Sequence, residues 1–216
     1  GIGNIVELYG PESSGKTSLA IETIASAQAN DPEFVGAWLE TEESITKEIL
    51  ESHGVDLNRL IYWSQEDVSN AENALDVIRS LVASGAVDMV IVNSVAGLAP
   101  KVETEKQNIA LVARLLSKFF RVITGIAAKN KVTMIFINQV RDKVGVMFGN
   151  PETTGGGRAL AFYSSIRVRM NSLKIDKTDP IEDTEGVKIS CIARKNRFAG
   201  KHNPFTKCVY YARYDS

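Results

Sequence analysis

The sequence predicts an α/β protein with a mostly parallel, doubly wound sheet, and three observations carry that expectation. Short apolar, β-rich runs alternate with segments of helical periodicity from the start of the chain to about residue 137. These runs are almost continuously hydrophobic, as strands covered on both faces must be. After Gln139 the pattern changes: strand-like segments follow one another without helices, which predicts antiparallel strands extending one side of the sheet.

Taken in order, strands are expected at Ile5–Tyr9, Phe34–Leu39, Leu60–Trp63, Met89–Val92 and Val132–Ile137. Helical spacing of apolar residues fills the gaps at Lys16–Ala29, Glu43–Ser52, Ser69–Ser84 and Ile109–Lys129. Such alternation builds right-handed crossovers between parallel strands. The later strands are expected at Phe162–Asn171, Val187–Arg194 and Thr206–Arg213, and the stretch from Gln139 to Arg158 shows no clear period.

With 216 residues and 44% hydrophobic composition, the chain can bury one sizeable core, so residues 1–216 are expected to form a single domain. Basic and acidic residues number 25 and 26, and a net charge of −1 confines any nucleic-acid contact to local elements. Cys191 and Cys208 lie in different apolar segments without a Cys-x-x-Cys spacing and read as two reduced core thiols of a cytosolic protein. His53 and His202 are isolated and suggest no zinc site. No apolar run is long enough to cross a bilayer and no charged-then-apolar leader is visible, so no membrane partner is expected. The abrupt strands at both ends read as an excised core.

The strongest motif is Gly10-Pro11-Glu12-Ser13-Ser14-Gly15-Lys16-Thr17, with Ser18 following, placed between an apolar strand and a helix. Glycines let consecutive backbone N–H groups curl around phosphate oxygens, and the helix N-terminus adds partial positive charge. Lys16 is then placed to reach the β- and γ-phosphates of ATP, and the Thr17 hydroxyl to ligate Mg²⁺.

Three other strand ends belong beside that loop, because ligands of open α/β sheets sit beyond the carboxyl ends of the strands. Glu40 and Glu42 point the same way in an extended chain, so two carboxylates are expected to face one pocket. One would hold a metal-bound water and the other take the proton of the attacking water; taken alone, acidic residues opening a helix more often answer its dipole. Asn93 stands where P-loop NTPases normally place an Asp for the Mg²⁺ shell, keeping an acceptor oxygen without the charge. Asn138 and Gln139 end a further strand and suit sensing of a γ-phosphate, or simply capping of the strand.

Gly10–Thr17 as GPESSGKT, Asn93–Pro100 as NSVAGLAP, Phe136–Arg141 as FINQVR and Gly145–Thr154 as GVMFGNPETT closely resemble the bacterial RecA recombinase family, over essentially the whole chain. The resemblance implies a helical filament on single-stranded DNA, with ATP between adjacent subunits and homologous duplex DNA as the second substrate. It implies that Glu42 activates water, that Gln139 couples the γ-phosphate to a DNA loop, and that Lys195 reaches the neighbour's ATP. Arg197 stands where the family has a second lysine, and Phe162 matches an aromatic of the subunit interface. The family's N-terminal segment and small C-terminal domain are expected to be absent.

The aperiodic stretch places Arg141, Lys143 and Arg158 among Val144, Met147 and Phe148, and carries Gly156 and Gly157 at its end. Cations interleaved with apolar side chains suit a surface that follows phosphates and inserts between bases, though a mobile lid over ATP reads similarly. By resemblance it is the second DNA-binding loop. The first loop falls near Lys101–Asn108, shorter than usual and crowded by Glu103 and Glu105. Arg114 and Arg121 are seven apart on one helix face and match positions that contact the DNA backbone. Ile109 falls near an apolar wedge between base triplets. Thr46 and Ile49 replace two adenine-contacting residues of the family. A nucleotide-switched DNA-binding protein with little turnover, and a ring-forming relative, are the alternative readings.

Overall fold

The computed structural model describes residues 2–67, 70–98, 105–142, 152–177, 179–182, 185–198 and 207–213, and leaves the side chains of 65, 105–110, 141–142 and 152 undescribed. Strands form at Ile5–Gly10 (β1), Gly36–Glu40 (β2), Leu60–Trp63 (β3), Met89–Asn93 (β4) and Thr133–Asp142 (β5). They continue at Glu152–Thr154 (β6), Ile166–Leu173 (β7), Gly186–Asn196 (β8) and Lys207–Arg213 (β9). The helices are Lys16–Asn30 (α1), Lys47–Ser52 (α2), Ala71–Ser84 (α3), Glu105–Asn130 (α4) and Ala159–Tyr163 (α5).

The main sheet runs β3-β2-β4-β5-β1-β7-β8-β9, with β6 paired to the extension of β5. From β3 to β7 the pairings in this path are parallel, and β8 and β9 add antiparallel strands at one edge. The expected doubly wound architecture is therefore the one observed. Two apolar layers sandwich the sheet. One packs Ile78 of α3 and Phe120 of α4 on Val90 and Phe136; the other packs Ile21 and Ile24 of α1 on Leu8 and Ile135. Phe120 meets Phe136 edge to face at 5.0 Å, so the longest helix is keyed to the strand that leads out to residues 141–142.

Four expectations need correction. The segment from Phe162 does not begin a strand. Ala159 and Leu160 are buried and coil as α5, the Ser164 hydroxyl donates to the Leu160 carbonyl, and β7 starts only at Ile166. Because α5 supplies a crossover, β7 joins β1 in parallel, and antiparallel pairing in the main sheet begins with β8. The helix expected from Glu43 starts at Lys47. Glu43 has φ 53, and the Thr46 side chain caps the helix by accepting from the Ile49 amide. Part of the aperiodic stretch is regular, since Val140, Arg141 and Asp142 pair with Thr154, Thr153 and Glu152. The cysteines also differ from each other: Cys191 is buried, whereas its cross-strand neighbour Cys208 is exposed.

Candidate nucleotide and nucleic-acid sites

The phosphate loop leaves the end of β1 and enters α1 through Gly15, whose φ of 77 lies in the left-handed region that glycine occupies without cost. A side chain at Gly15 would collide with Ile189 and the Tyr210 hydroxyl, and that hydroxyl donates to the Gly15 carbonyl at 3.3 Å. The antiparallel strands β8 and β9 thus brace the loop from behind. No side chain caps the α1 N-terminus and its first turn contains no acidic residue. Among the described residues its leading N–H groups are thus without side-chain acceptors, the condition an anion meets at a helix start.

Lys16 is buried, and its ammonium donates to the Pro11 carbonyl at 2.5 Å and the Ser14 hydroxyl at 3.3 Å. Burial pulls its pKa down, against the carboxylates of Glu42 and Glu12. Among the described residues no carboxylate forms an ion pair with it. A buried cation on the loop, beside an uncapped helix start, fits a phosphate group.

The floor of the site is a hydrogen-bonded row that links the start of α1 to the ends of β4 and β2. The Thr17 hydroxyl stands 3.5 Å from Asn93 Oδ1, and Asn93 Nδ2 donates to Glu40 Oε2 at 2.8 Å. Glu40 is fully buried and also accepts from the Trp38 indole and from the Glu42 and Ser44 amides. Sequence alternation placed Glu40 and Glu42 side by side facing one pocket. Instead Glu40 turns inward, folds the 40–44 turn around itself and orients Asn93. Glu42 lies at the exposed rim, where Oε1 accepts from the Ser94 hydroxyl and from Gln139 Nε2 at 3.2 Å. Ser94, Trp38 and Ser44 were not singled out from the sequence. A buried strand-end carboxylate needing several donors was the signal that could have found the last two.

Thr46, the cap of α2, accepts through its side chain from the Ile49 amide of the first turn. Lys195 and Arg197 make no hydrogen bond to residues 10–18 of their own chain among the described residues. Lys195 Nζ donates to the Ala161 and Phe162 carbonyls at 2.8 Å, and Arg197 to the Phe162 carbonyl at 2.9 Å. Burial, then the Arg197 charge, lowers the Lys195 pKa. Phe162 itself projects outward at 67% exposure.

On α4, Arg114 and Arg121 are both exposed. Gly156 and Gly157 bring the chain back onto this helix with φ of 74 and 78. A Cβ at Gly156 would lie 2.5 Å from Leu116, and one at Gly157 would lie 2.9 Å from the Ala113 methyl group. The glycines are required both by conformation and by close approach. Arg158 follows, exposed, at the start of α5. The side chains of Ile109 and Arg141, and residues Lys143, Val144, Met147 and Phe148, lie outside the described residues.

A strand running into a glycine-bent loop and an uncapped helix, beneath the polar ends of neighbouring parallel strands, defines a RecA-like P-loop ATPase fold. A family model described as "RecA N-terminal domain" matches residues 1–214, and the chain belongs to the RecA family. Protein RecA of Staphylococcus aureus strain JH9 is 49% identical over 172 residues, covering 78% of this chain and 48% of that protein, and the strain Newman protein matches equally. The chain thus spans about half the length of the curated relatives it matches. A crystal structure of the RadB recombinase superposes with a TM-score of 0.67 at 22% identity, over 98% of this chain and 87% of that one, which bears on the fold.

Proposed function

We propose that the chain is the ATPase core of a DNA recombinase that binds ATP with Mg²⁺, engages single-stranded DNA as a helical filament and pairs it with homologous duplex. The observation that carries this reading is the hydrogen bond from Gln139 to Glu42. Gln139 lies on β5, the strand that leads to residues 143–150, so the carboxylate beside the phosphate loop is bonded to the strand leading into the expected DNA loop.

Gly10–Ser18 would hold the triphosphate, with Lys16 on its outer groups. Thr17 would ligate Mg²⁺ directly, and Asn93, oriented by Glu40, through water. The bound metal would supply charge neutralisation at the phosphate oxygens. Glu42 accepts a proton from water at the rim, and Gln139 holds that carboxylate in place. Lys195 and Arg197, gathered on the end of α5, are placed to present cations to a neighbouring subunit's nucleotide, as an arginine finger does. Arg114, Arg121, Arg158 and the 141–148 segment provide the DNA surface. Turnover measured with and without single-stranded DNA tests the reading. Stimulation that Gln139→Ala weakens is expected, and equal rates with and without DNA would overturn it.

One observation favours a second reading, a nucleotide-switched binder with little turnover: the strand-end residue near Thr17 is a neutral Asn. The Asn93→Asp variant separates the two. Its new carboxylate would face Glu40 Oε2 where a donor stood at 2.8 Å, so the recombinase reading expects no gain in turnover and lower stability. A rise of tenfold or more would favour the switch.

A further inference from the structure

On the sheet face opposite α1, beside the end of β1, lies an open cavity of about 350 Å³ whose lining includes Arg158, Arg167, Arg169 and Arg194, with Tyr9 and Thr154. Among the described residues, none of that lining is acidic. It is separate from the phosphate loop, Glu42 and the exposed arginines of α4, and the sequence signalled only one of its four guanidiniums. We propose that this pocket is a binding site for phosphate groups, occupied by the backbone of a nucleic-acid strand.

The way the arginines are brought together supports this. Arg167 and Arg169 alternate onto one face of β7. On β8 the register slips: Arg167 pairs with Lys195 but Val168 pairs with Ala193, leaving Arg194 as the extra residue of a β-bulge. A bulge re-aims a side chain, and here it adds a third guanidinium to the pocket formed with β7. Arg158 arrives from the Gly156–Gly157 turn, which has no room for side chains against α4. Four cations thus converge from three separate pieces of chain, against their mutual repulsion.

One of them is rigidly held. Arg167 Nε donates to the fully buried Glu7, and its guanidinium lies over the Tyr9 ring at 4.5 Å. Since a guanidinium has five N–H donors, the Nε bond leaves others for an oxyanion. Burial raises the Tyr9 pKa, the Arg167 charge opposes that rise, Glu7 adds to it, and Arg194 and Arg169 oppose it further. Glu7 Oε1 accepts from Asn138 Nδ2 at 3.1 Å, and the same amide donates to the Gly155 carbonyl at 3.1 Å. The pocket is therefore wired to β5 and to the 155–158 turn. Phosphodiester oxygens suit such a set because arginine forks match them in planar pairs.

This inference extends the DNA part of the proposed function and rests on it, so its test has two arms. The first uses the chain with Lys16→Ala, which removes the phosphate-loop lysine as a competing site, and the second uses the unaltered chain with ATP and Mg²⁺ present. In the first, pyrophosphate is titrated while the arginine Nε–H resonances are followed by NMR; shifts of Arg167, Arg169 and Arg194 are expected. In the second, a labelled single-stranded oligodeoxynucleotide is bound across a salt series by parent, Arg169→Gln/Arg194→Gln, and Arg194→Glu. The double variant should lower the slope of log affinity against log salt by about 1.4, at about 0.7 per phosphate contact. Arg194→Glu, at an exposed position, keeps the test valid if the double variant does not fold, and it should weaken binding at least as much as a neutral change there. Unmoved arginine resonances together with parent-like slopes would overturn the pocket. Pyrophosphate shifts with parent-like slopes would overturn the nucleic-acid occupant and assign the site to free phosphate. If the parent itself bound no oligonucleotide, the proposed function would fail, while the pyrophosphate arm would still decide whether the pocket takes phosphate.

Discussion

Two carboxylates, Glu40 and Glu7, are completely buried on opposite faces of the sheet, and they are satisfied in opposite ways. Glu40, on the α1 face, is answered by neutral donors: the Trp38 indole, the Asn93 amide and two main-chain N–H groups. Glu7, on the α4–α5 face, is answered by the Arg167 guanidinium and the Asn138 amide. Glu40, held by neutral donors, lies one hydrogen bond behind Asn93, next to the Thr17 hydroxyl, and sets the orientation of that amide. A carboxylate paired with arginine is neutralised, and what it contributes is position: it fixes one guanidinium of a basic pocket. One buried carboxylate thus orients an amide beside the phosphate loop, and the other a guanidinium of the basic pocket.

That contrast can be broken from either side. The largest effect is expected from Arg167→Leu, which strands Glu7 in the interior; about 3–5 kcal/mol of stability should be lost in chemical denaturation. The double change Glu7→Gln/Arg167→Leu should recover much of it, because no unpaired charge remains. Glu40→Gln should cost less, about 1–3 kcal/mol, since an amide can keep some of the bonds but must turn its NH₂ toward one of the donors. In that variant the Mg²⁺ dependence of nucleotide binding should weaken, which a titration of metal against nucleotide affinity would show.

The smallest effect lies at the sheet edge. Asp179 accepts from Lys188 at 2.8 Å and from the Tyr211 hydroxyl at 2.6 Å. Hydrogen bonds to Lys188, then Tyr211, then the Asp176 amide hold its pKa down at about 2. A depressed carboxylate stabilises the fold above its unfolded pKa of 3.8, and that contribution is lost as pH falls from about 4 toward 2. Asp179→Asn should therefore melt lower than the parent at neutral pH, and the difference should vanish near pH 2.

How much of this was legible in the sequence follows from the range of the interactions. The phosphate loop was plain because its motif is local and its flanking strand and helix have strong, different periods. β3 emerged with the bounds expected for it, being a short apolar run between polar turns. By contrast, α5 has only five residues, too few to display a helical period, so Phe162 read as the start of the strand behind it. The inward turn of Glu40 depends on donors from β4 and from its own following turn, which alternation along one strand cannot reveal. The bulge at Arg194 is a register event between two strands and leaves no mark on either alone. Glu7 did leave a mark: a charged residue inside Ile5–Gly10, a strand otherwise apolar, requires a partner, and Arg167 on the adjacent strand supplies it.

The central claim is that the rim carboxylate held by Ser94 and Gln139 takes the proton from water while the phosphate loop does the binding. Single-turnover ATP hydrolysis by parent and Glu42→Gln, on saturating single-stranded DNA with nucleotide affinity measured in parallel, tests it most directly. Unchanged affinity with turnover lower by about 10²–10⁴-fold is the expected result. Comparable turnover in the two proteins would contradict it.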